Sequence, residues 1–383
     1  MSNPNKAPKN SLLRSRGLQS LLASLVCILL GLAIGYVALL IINPAGAWEA
    51  IVVVVKNFFY YPSQPAAMKY LGSTLVKAAP LLMCSLSVLF AYKVGLFNIG
   101  AAGQYVVGAG ASLYCALAFQ LPWYVCILAA LVAGALLGAI SGALKAYCNV
   151  NEVISCIMLN WISLYGVNML LSNVKEAASP YTTQLKAGNP SALIPTAGLD
   201  KLFTNNQNVT IAIPLAVVIA VLIWVLLEKT KLGYELKATG LNKDAARYCG
   251  MKEKRNIILT MIISGALAGT GAAFLYLSGF EQWMCTQSSV PGMGFNGIAA
   301  AFLGGLNPIG TIFASYFIQH IINGGAYVDK TMYCAQISDF ISAIIIYLCG
   351  FVLFMKHAMN RGLDKRAERA AARQSKGEKG GEA

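Results

Sequence analysis

Residues 21–42 read L-L-A-S-L-V-C-I-L-L-G-L-A-I-G-Y-V-A-L-L-I-I, an apolar run without a single charge. Crossing the hydrocarbon core of a bilayer takes about 20 mostly apolar residues, so this run is long enough to span as a helix. A secretory signal would carry an apolar core of only about 7–15 residues before a small-residue cleavage site. Here the run is longer and leads into Asn43-Pro44. It reads as an uncleaved first span.

Every backbone N–H and C=O must be satisfied inside the bilayer, so the same criterion applies down the chain. It predicts spans near 20–42, 71–92, 96–120, 123–147, 153–173, 209–228, 257–279, 293–306, 308–323 and 336–355. The predicted fold class is all-α, a polytopic membrane protein of about ten transmembrane helices. Residues 1–19 form an N-terminal segment, 20–355 the transmembrane domain, and 356–383 a basic tail. Of the 383 residues, 57% are hydrophobic and only 11% charged, with a mean hydropathy of +0.63. Soluble domains carry about 25% charged residues; this chain could not cover a water-facing surface.

The formal charge of +14 is not spread as a nucleic-acid-binding patch. Lys6, Lys9, Arg14 and Arg16 precede the first span. A second cluster lies between Lys229 and Arg255, and a third runs from Lys356 to Lys379. Short loops and ends rich in Lys and Arg mark the cytoplasmic side, where anionic lipid adds to the attraction. With ten spans and the N-terminus inside, all three clusters fall on one face and both termini are cytoplasmic. No nucleic-acid partner is expected.

Catalytic chemistry has little to stand on. There is no phosphate-binding G-x-x-x-x-G-K-[ST], no H-E-x-x-H and no nucleophile elbow, and the only histidines are His320 and His357. The ten cysteines show no metal spacing and fall mostly inside apolar runs as soft packing residues. Cys285 and Cys334 both fall outside and could pair. No enzyme activity, cofactor or metal is expected.

Two predicted spans are interrupted. Residues 94–112 carry Asn98, Gly100, Gly103, Gln104, Gly108 and Gly110; residues 292–310 carry Gly292, Gly294, Gly297, Gly304, Gly305, Asn307, Pro308 and Gly310. Interrupted segments at matching places in two halves point to a transporter with its pathway between them, and Leu96–Gly100 weakly matches Leu306–Gly310. Close helix packing alone explains many of the glycines. Polar residues at span depth are functional candidates: Lys77, Asn98, Gln104, Asn160, Asn168, Asn296, His320 and Asp339. They include no pair of carboxylates that would relay ions, and Lys77 is placed to snorkel to the outer surface. Energy would then come from a partner.

The segment 229–256 suits such a partner. Asn242 is a good N-cap, Lys243–Cys249 can form a short helix, and Gly250 can end it. Docking element and plain charged connector fit equally well. On the other side, residues 43–70 are expected to hold an interfacial helix, and 174–208 is a Pro/Asn/Ser/Thr-rich loop.

Three stretches together are recognisable. K-V-G-L-F-N-I-G-A-A-G-Q (93–104), A-T-G-L-N-K-D-A-A-R-Y-C-G-M (238–251) with I-S-G-A-L-A-G (263–269), and G-F-N-G-I-A-A-A-F-L-G-G-L-N-P-I-G (294–310) resemble ABC-importer permeases of the nucleoside and simple-sugar branch, related to ribose and branched-chain amino-acid permeases. The resemblance covers about 70–355. It implies two inverted five-helix halves in a multi-pass bacterial inner-membrane protein. Two permeases, identical or different, would form the pathway, with cytoplasmic ATPase subunits and an external substrate-binding lipoprotein as partners. Carried onto this chain, it puts Phe97, Asn98, Gln104, Trp161, Phe295, Asn296 and Asn307 near the pathway. Gly240, Asn242, Asp244, Ala245, Ala246, Arg247 and Gly250 fall in the coupling loop. Nucleosides, purine ones first, are the expected cargo; a ribose or galactose permease and a self-sufficient secondary transporter or channel are the alternatives. One position departs from the pattern: Ala102 stands where the family often has an acid.

Overall fold

The computed structural model describes residues 16–61, 63–325 and scattered positions from 328 to 361. In chain order the helices are α1 (Arg16–Ile42), α2 (Ala47–Lys56), α3 (Gln64–Lys93), α4 (Ala101–Leu117), α5 (Trp123–Cys148) and α6 (Glu152–Leu171). The short α7 (Leu185–Gly188) and α8 (Leu199–Leu202) lead to α9 (Ala212–Lys229), α10 (Lys231–Leu241), α11 (Lys243–Tyr248), α12 (Glu253–Tyr276), α13 (Met293–Leu303) and α14 (Pro308–Gly324). Among the described residues, extended pairing is limited to the isolated bridges Lys175–Thr182 and Tyr181–Met284.

Among the described residues, six helices are long and apolar enough to cross a membrane: those over Leu25–Ile42, Gln64–Lys93, Trp123–Cys148, Glu152–Val174, Ala212–Lys229 and Glu253–Tyr276. They match six of the predicted spans. Much of the tenth predicted span, Asp339, residues 1–15 and most of the tail lie outside the described residues.

Helices α3 and α12 are the most enclosed, α3 being packed between α9, α12, α13 and α14. Its interior Pro80 removes one helical N–H bond, and Gly271 of α12 fits against that turn: a methyl there would stand 3.1 Å from the Pro80 carbonyl oxygen. The tightest seam joins α5 to α12. Gly134, Gly138 and Gly142 recur at a spacing of four, so they share one helix face. A methyl on Gly134 would strike the Gly265 carbonyl, and one on Gly138 the Met261 carbonyl. Without a hydrophobic drive between helices in lipid, small residues earn association by letting backbones approach and pack.

The interrupted spans depart from their predicted lengths. The helix expected over 96–120 begins only at Ala101, because Gly95 turns the chain out of α3 at φ 76° and residues 96–100 run without helix. The span expected over 293–306 holds only the 11-residue α13. At ~1.5 Å per residue that is about 16 Å, roughly half of a ~30 Å core. Gly305 and Leu306, both left-handed (φ 66° and 55°), turn it into α14. Hydropathy missed these breaks because the glycines, alanines and isoleucines on either side are apolar in any conformation.

The two ends of the bundle differ. One gathers the 93–95 turn, the α5–α6 connection, α10 and α11; there Gly95 lies against the Gly240 backbone and Lys145 pairs with Glu152 at 2.8 Å. The opposite end carries α2, where the interfacial helix was predicted, with Trp48 and Phe59 exposed, and the 174–208 loop with its short helices. Tyr333 Oη donates to the Asn43 carbonyl at 2.6 Å, tying the segment after α14 to this end. Cys285 is buried and Cys334 exposed, both as free thiols, so they do not pair.

Candidate transport pathway and coupling surface

The two breaks meet inside the bundle. Helix α13 runs beside α3, with Gly297 against Cys84 and Phe302 ring-to-ring with Tyr92 at 5.1 Å. Its first turn rests on α4: a Cβ on Gly294 would collide with the Ala102 backbone and lie 2.8 Å from Ala102 Cβ. Both helices therefore start at the same place, in the interior. That contact also accounts for the small residue at 102, since a carboxylate side chain would have to displace α13.

The start of α4 is held by two polar devices. Asn160 of α6 accepts from Gly103 N at 2.8 Å and donates to the Ile99 carbonyl at 3.2 Å, satisfying backbone groups that the broken helix leaves open. Asn98 Nδ2 reaches Gln104 Oε1 at 2.8 Å, Ser264 Oγ at 2.6 Å and Ser87 Oγ at 3.1 Å. Ser264 Oγ lies 2.6 Å from the Ser87 carbonyl, to which it donates. This network ties α3, α4 and α12 together. Asn98 and Gln104 are fully buried in it, turned toward other helices, and Asn98 Oδ1 has no partner among the described residues.

The remaining predicted pathway residues lie nearer the surface of the bundle. Phe97 and Asn296 are half-buried; Phe295, Trp161 and Asn307 are exposed. Asn307 is the N-cap of α14, accepting from Ile309 N at 2.9 Å. Trp161 stacks on Tyr165, centroids 6.1 Å apart and planes 24° apart. Asn160 and Gly294 face α4, and their sequence neighbours Trp161 and Phe295 emerge at the surface of α6 and α13, next to the start of α4.

Nearer the loop end the polar residues are paired. Lys77 Nζ sits 2.7 Å from Glu281 Oε1, in the connection after α12, and 5.3 Å over the Phe280 ring. Asn168 donates to the Gln287 carbonyl and accepts from Trp283 Nε1, each at 2.9 Å. His320 Nε2 lies 2.9 Å from the Val55 carbonyl, and Asn57 donates to the His320 carbonyl at 2.8 Å. Lys77, Asn168 and His320 were visible in sequence as polar residues in spans; Glu281, Trp283 and Asn57 were not, because they sit in connections where polar and aromatic residues are ordinary. Among the described residues no cluster of His, Cys, Asp and Glu could hold a metal ion.

At the basic end, α10 and α11 form a small platform. Thr230 caps α10 by accepting from Gly233 N at 3.1 Å, and Asn242 caps α11 by accepting from Ala245 N at 3.0 Å. Gly250 ends the unit at φ 80°. The predicted short helix and its cap are therefore present. Ala246 is buried, Gly240 presses on Val94 and Gly95, and Thr239 accepts from Asn256 of α12 at 2.9 Å. Asp244, Ala245 and Arg247 point outward. So do two large apolar side chains that sequence reasoning did not single out, Leu241 (89% exposed) and Tyr248 (94%).

Residues 70–350 match the model of the branched-chain amino acid transport system permease component. The chain belongs to this family. The permease is 33% identical to the guanosine ABC transporter permease protein NupP of Bacillus subtilis, over 86% of its own length and 92% of the relative's. It is 32% identical to the nucleoside ABC transporter permease protein NupB of Lactococcus lactis subsp. cremoris, over 94% of its length and 98% of the relative's. The glucose ABC transporter permease protein TsgB13 of Haloferax volcanii is 29% identical over 90% and 91%. No solved structure matches the chain.

Proposed function

We propose that the permease forms the membrane pathway of an ATP-driven nucleoside importer, with purine nucleosides as first cargo. The observation that carries this is its near full-length similarity to a guanosine permease and a nucleoside permease. In this reading two permease subunits enclose the pathway and an external binding protein delivers substrate. ATPase subunits dock on α10 and α11. The bundle is two inverted five-helix halves, with both termini cytoplasmic. The contact of Gly294 with Ala102 supports that symmetry, since one broken span from each half would start at a common depth. ATP binding then biases a two-state element, and a partner shifts the equilibrium by its preference for one state.

The route by which motion would reach the pathway is short. The Gly95 turn rests on Gly240 of α10, and six residues later α4 begins. Phe97, Phe295 and Trp161 supply apolar walls and Asn296 an uncharged amide that can serve donors and acceptors on base or ribose. Asn98 and Gln104 act behind that wall, fixing the start of α4, and Asn307 fixes the start of α14.

Reconstitution with its ATPase, permease and binding-protein partners tests the reading. ATP-dependent guanosine uptake, competed by adenosine and not by ribose, is expected. Competition by ribose alone would turn the assignment to simple sugars, the reading that the glucose-permease relative favours. Uptake driven by an ion gradient without ATPase subunits would make the chain a secondary transporter.

A further inference from the structure

Helix α6 has 20 residues, from Glu152 to Leu171. At ~1.5 Å per residue it is about 30 Å long, the thickness of the hydrocarbon core. Trp161 lies at its midpoint and Tyr165 one turn further on. Both are exposed, at 42% and 58%, and their rings are stacked. Neither the indole N–H nor the phenol O–H has a hydrogen-bond partner among the described residues. Trp and Tyr favour the two membrane interfaces, where one end of the ring is wet. An unpaired N–H and O–H in the middle of hydrocarbon are costly to bury. The depth of this pair therefore argues for a hydrated patch at the two rings, on a side of α6 that also exposes the apolar Met158, Ile162 and Met169.

Its placement agrees. Asn160, the residue before Trp161, is bonded to the first turn of α4, so the stacked pair is fixed beside the point where the two broken spans meet. Two further aromatic side chains belong to the segments that meet there, Phe295 exposed on α13 and Phe97 half-buried before α4. We infer that Trp161 and Tyr165 are a stacking platform for a planar heteroaromatic base, and that this platform makes the pathway select nucleosides over free sugars. The inference rests on the proposed nucleoside import and assigns the cargo's base, rather than its ribose, to a particular surface. A base presents a π face to the rings and edge groups to the N–H and O–H, whereas a free pyranose or furanose has no such face.

The test uses the full importer in nanodiscs and proteoliposomes. Trp161→Leu and Tyr165→Leu should each lower the maximal rate of ATP-driven guanosine uptake about tenfold, the scale of one lost stacking face, and Trp161→Phe should keep most of it. Guanosine should quench tryptophan emission of the wild-type complex and not of Trp161→Phe, a readout that stands even where a leucine variant fails to assemble. Guanosine uptake by the wild type with both leucine variants assembled and transporting at its rate overturns the platform and leaves the importer reading intact, as does equal quenching in wild type and Trp161→Phe. A wild type that carries ribose and no nucleoside removes the nucleoside-import reading itself.

Discussion

At the scale of single residues, the permease is held together by close backbone approach and a few fully enclosed polar contacts. Gly138 is the sharpest instance, because its Cα faces the Met261 carbonyl with no space for a methyl. Gly138→Ala is expected to push α5 off α12 and to cost about 1–3 kcal/mol, as overpacking does in tight cores. Gly166 on α6 has nothing within 4 Å of its missing Cβ, so Gly166→Ala should melt at the wild-type temperature or slightly above it. Thermal unfolding of the purified variants in one detergent compares the two. Asn98→Ala removes an amide that reaches three side chains. Hydrogen bonds between membrane helices average about 0.6 kcal/mol with a maximum near 1.7, so a loss of about 2 kcal/mol is expected in the same assay. Asn98 and Gln104 stood out in the sequence as amides in an apolar run. Their destination did not, since Ser264 lies 166 residues from Asn98 along the chain and serine is unremarkable in a span.

At the scale of elements, the α10–α11 platform was legible from local chemistry, because an N-cap, a short helical run and a glycine stop are all read within a few residues. The outward side proposed here for docking was not. Tyr248 and Leu241 look like ordinary helix residues until Gly240 and Ala246 are seen to be the buried side, which turns the two apolar side chains outward. Exposed large apolar residues clustered at one place mark interaction sites. Tyr248→Ala and Leu241→Asp are expected to leave the melting temperature of the isolated permease unchanged, since neither side chain packs within the chain. Each should cut co-purification of the ATPase subunit and ATP-dependent uptake by tenfold or more. Retained co-purification in both variants would move the docking surface elsewhere. The broken helices teach the complementary lesson. The glycines and asparagines announced that 94–112 and 292–310 were irregular, yet where each helix begins depends on long-range contacts: Asn160 on Gly103, and Gly294 on Ala102.

At the scale of the whole molecule, the proposed orientation rests on the two ends of the bundle. The end built from the Gly95 turn, α10 and α11 holds the basic loop, and short Lys/Arg-rich loops stay on the cytoplasmic side. Cysteines already present can report this. Cys148, at the end of α5, and Cys249, just after α11, are exposed at the basic end. Cys334 is exposed at the other end, next to Tyr333 and its bond to Asn43. Cys285 lies in the connection between α12 and α13, where burial pushes its thiol up and nearby Lys175 only partly offsets this, so little reactive thiolate forms. In a cysteine-free background with one cysteine restored at a time, a membrane-impermeant maleimide added to intact cells is expected to label Cys334. Cys148 and Cys249 should react only after permeabilisation, and Cys285 only after denaturation. Labelling of Cys249 in intact cells, with Cys334 protected, would invert the assignment. It would place α10 and α11 outside, beyond reach of any ATPase, and the proposed coupling would fall with it.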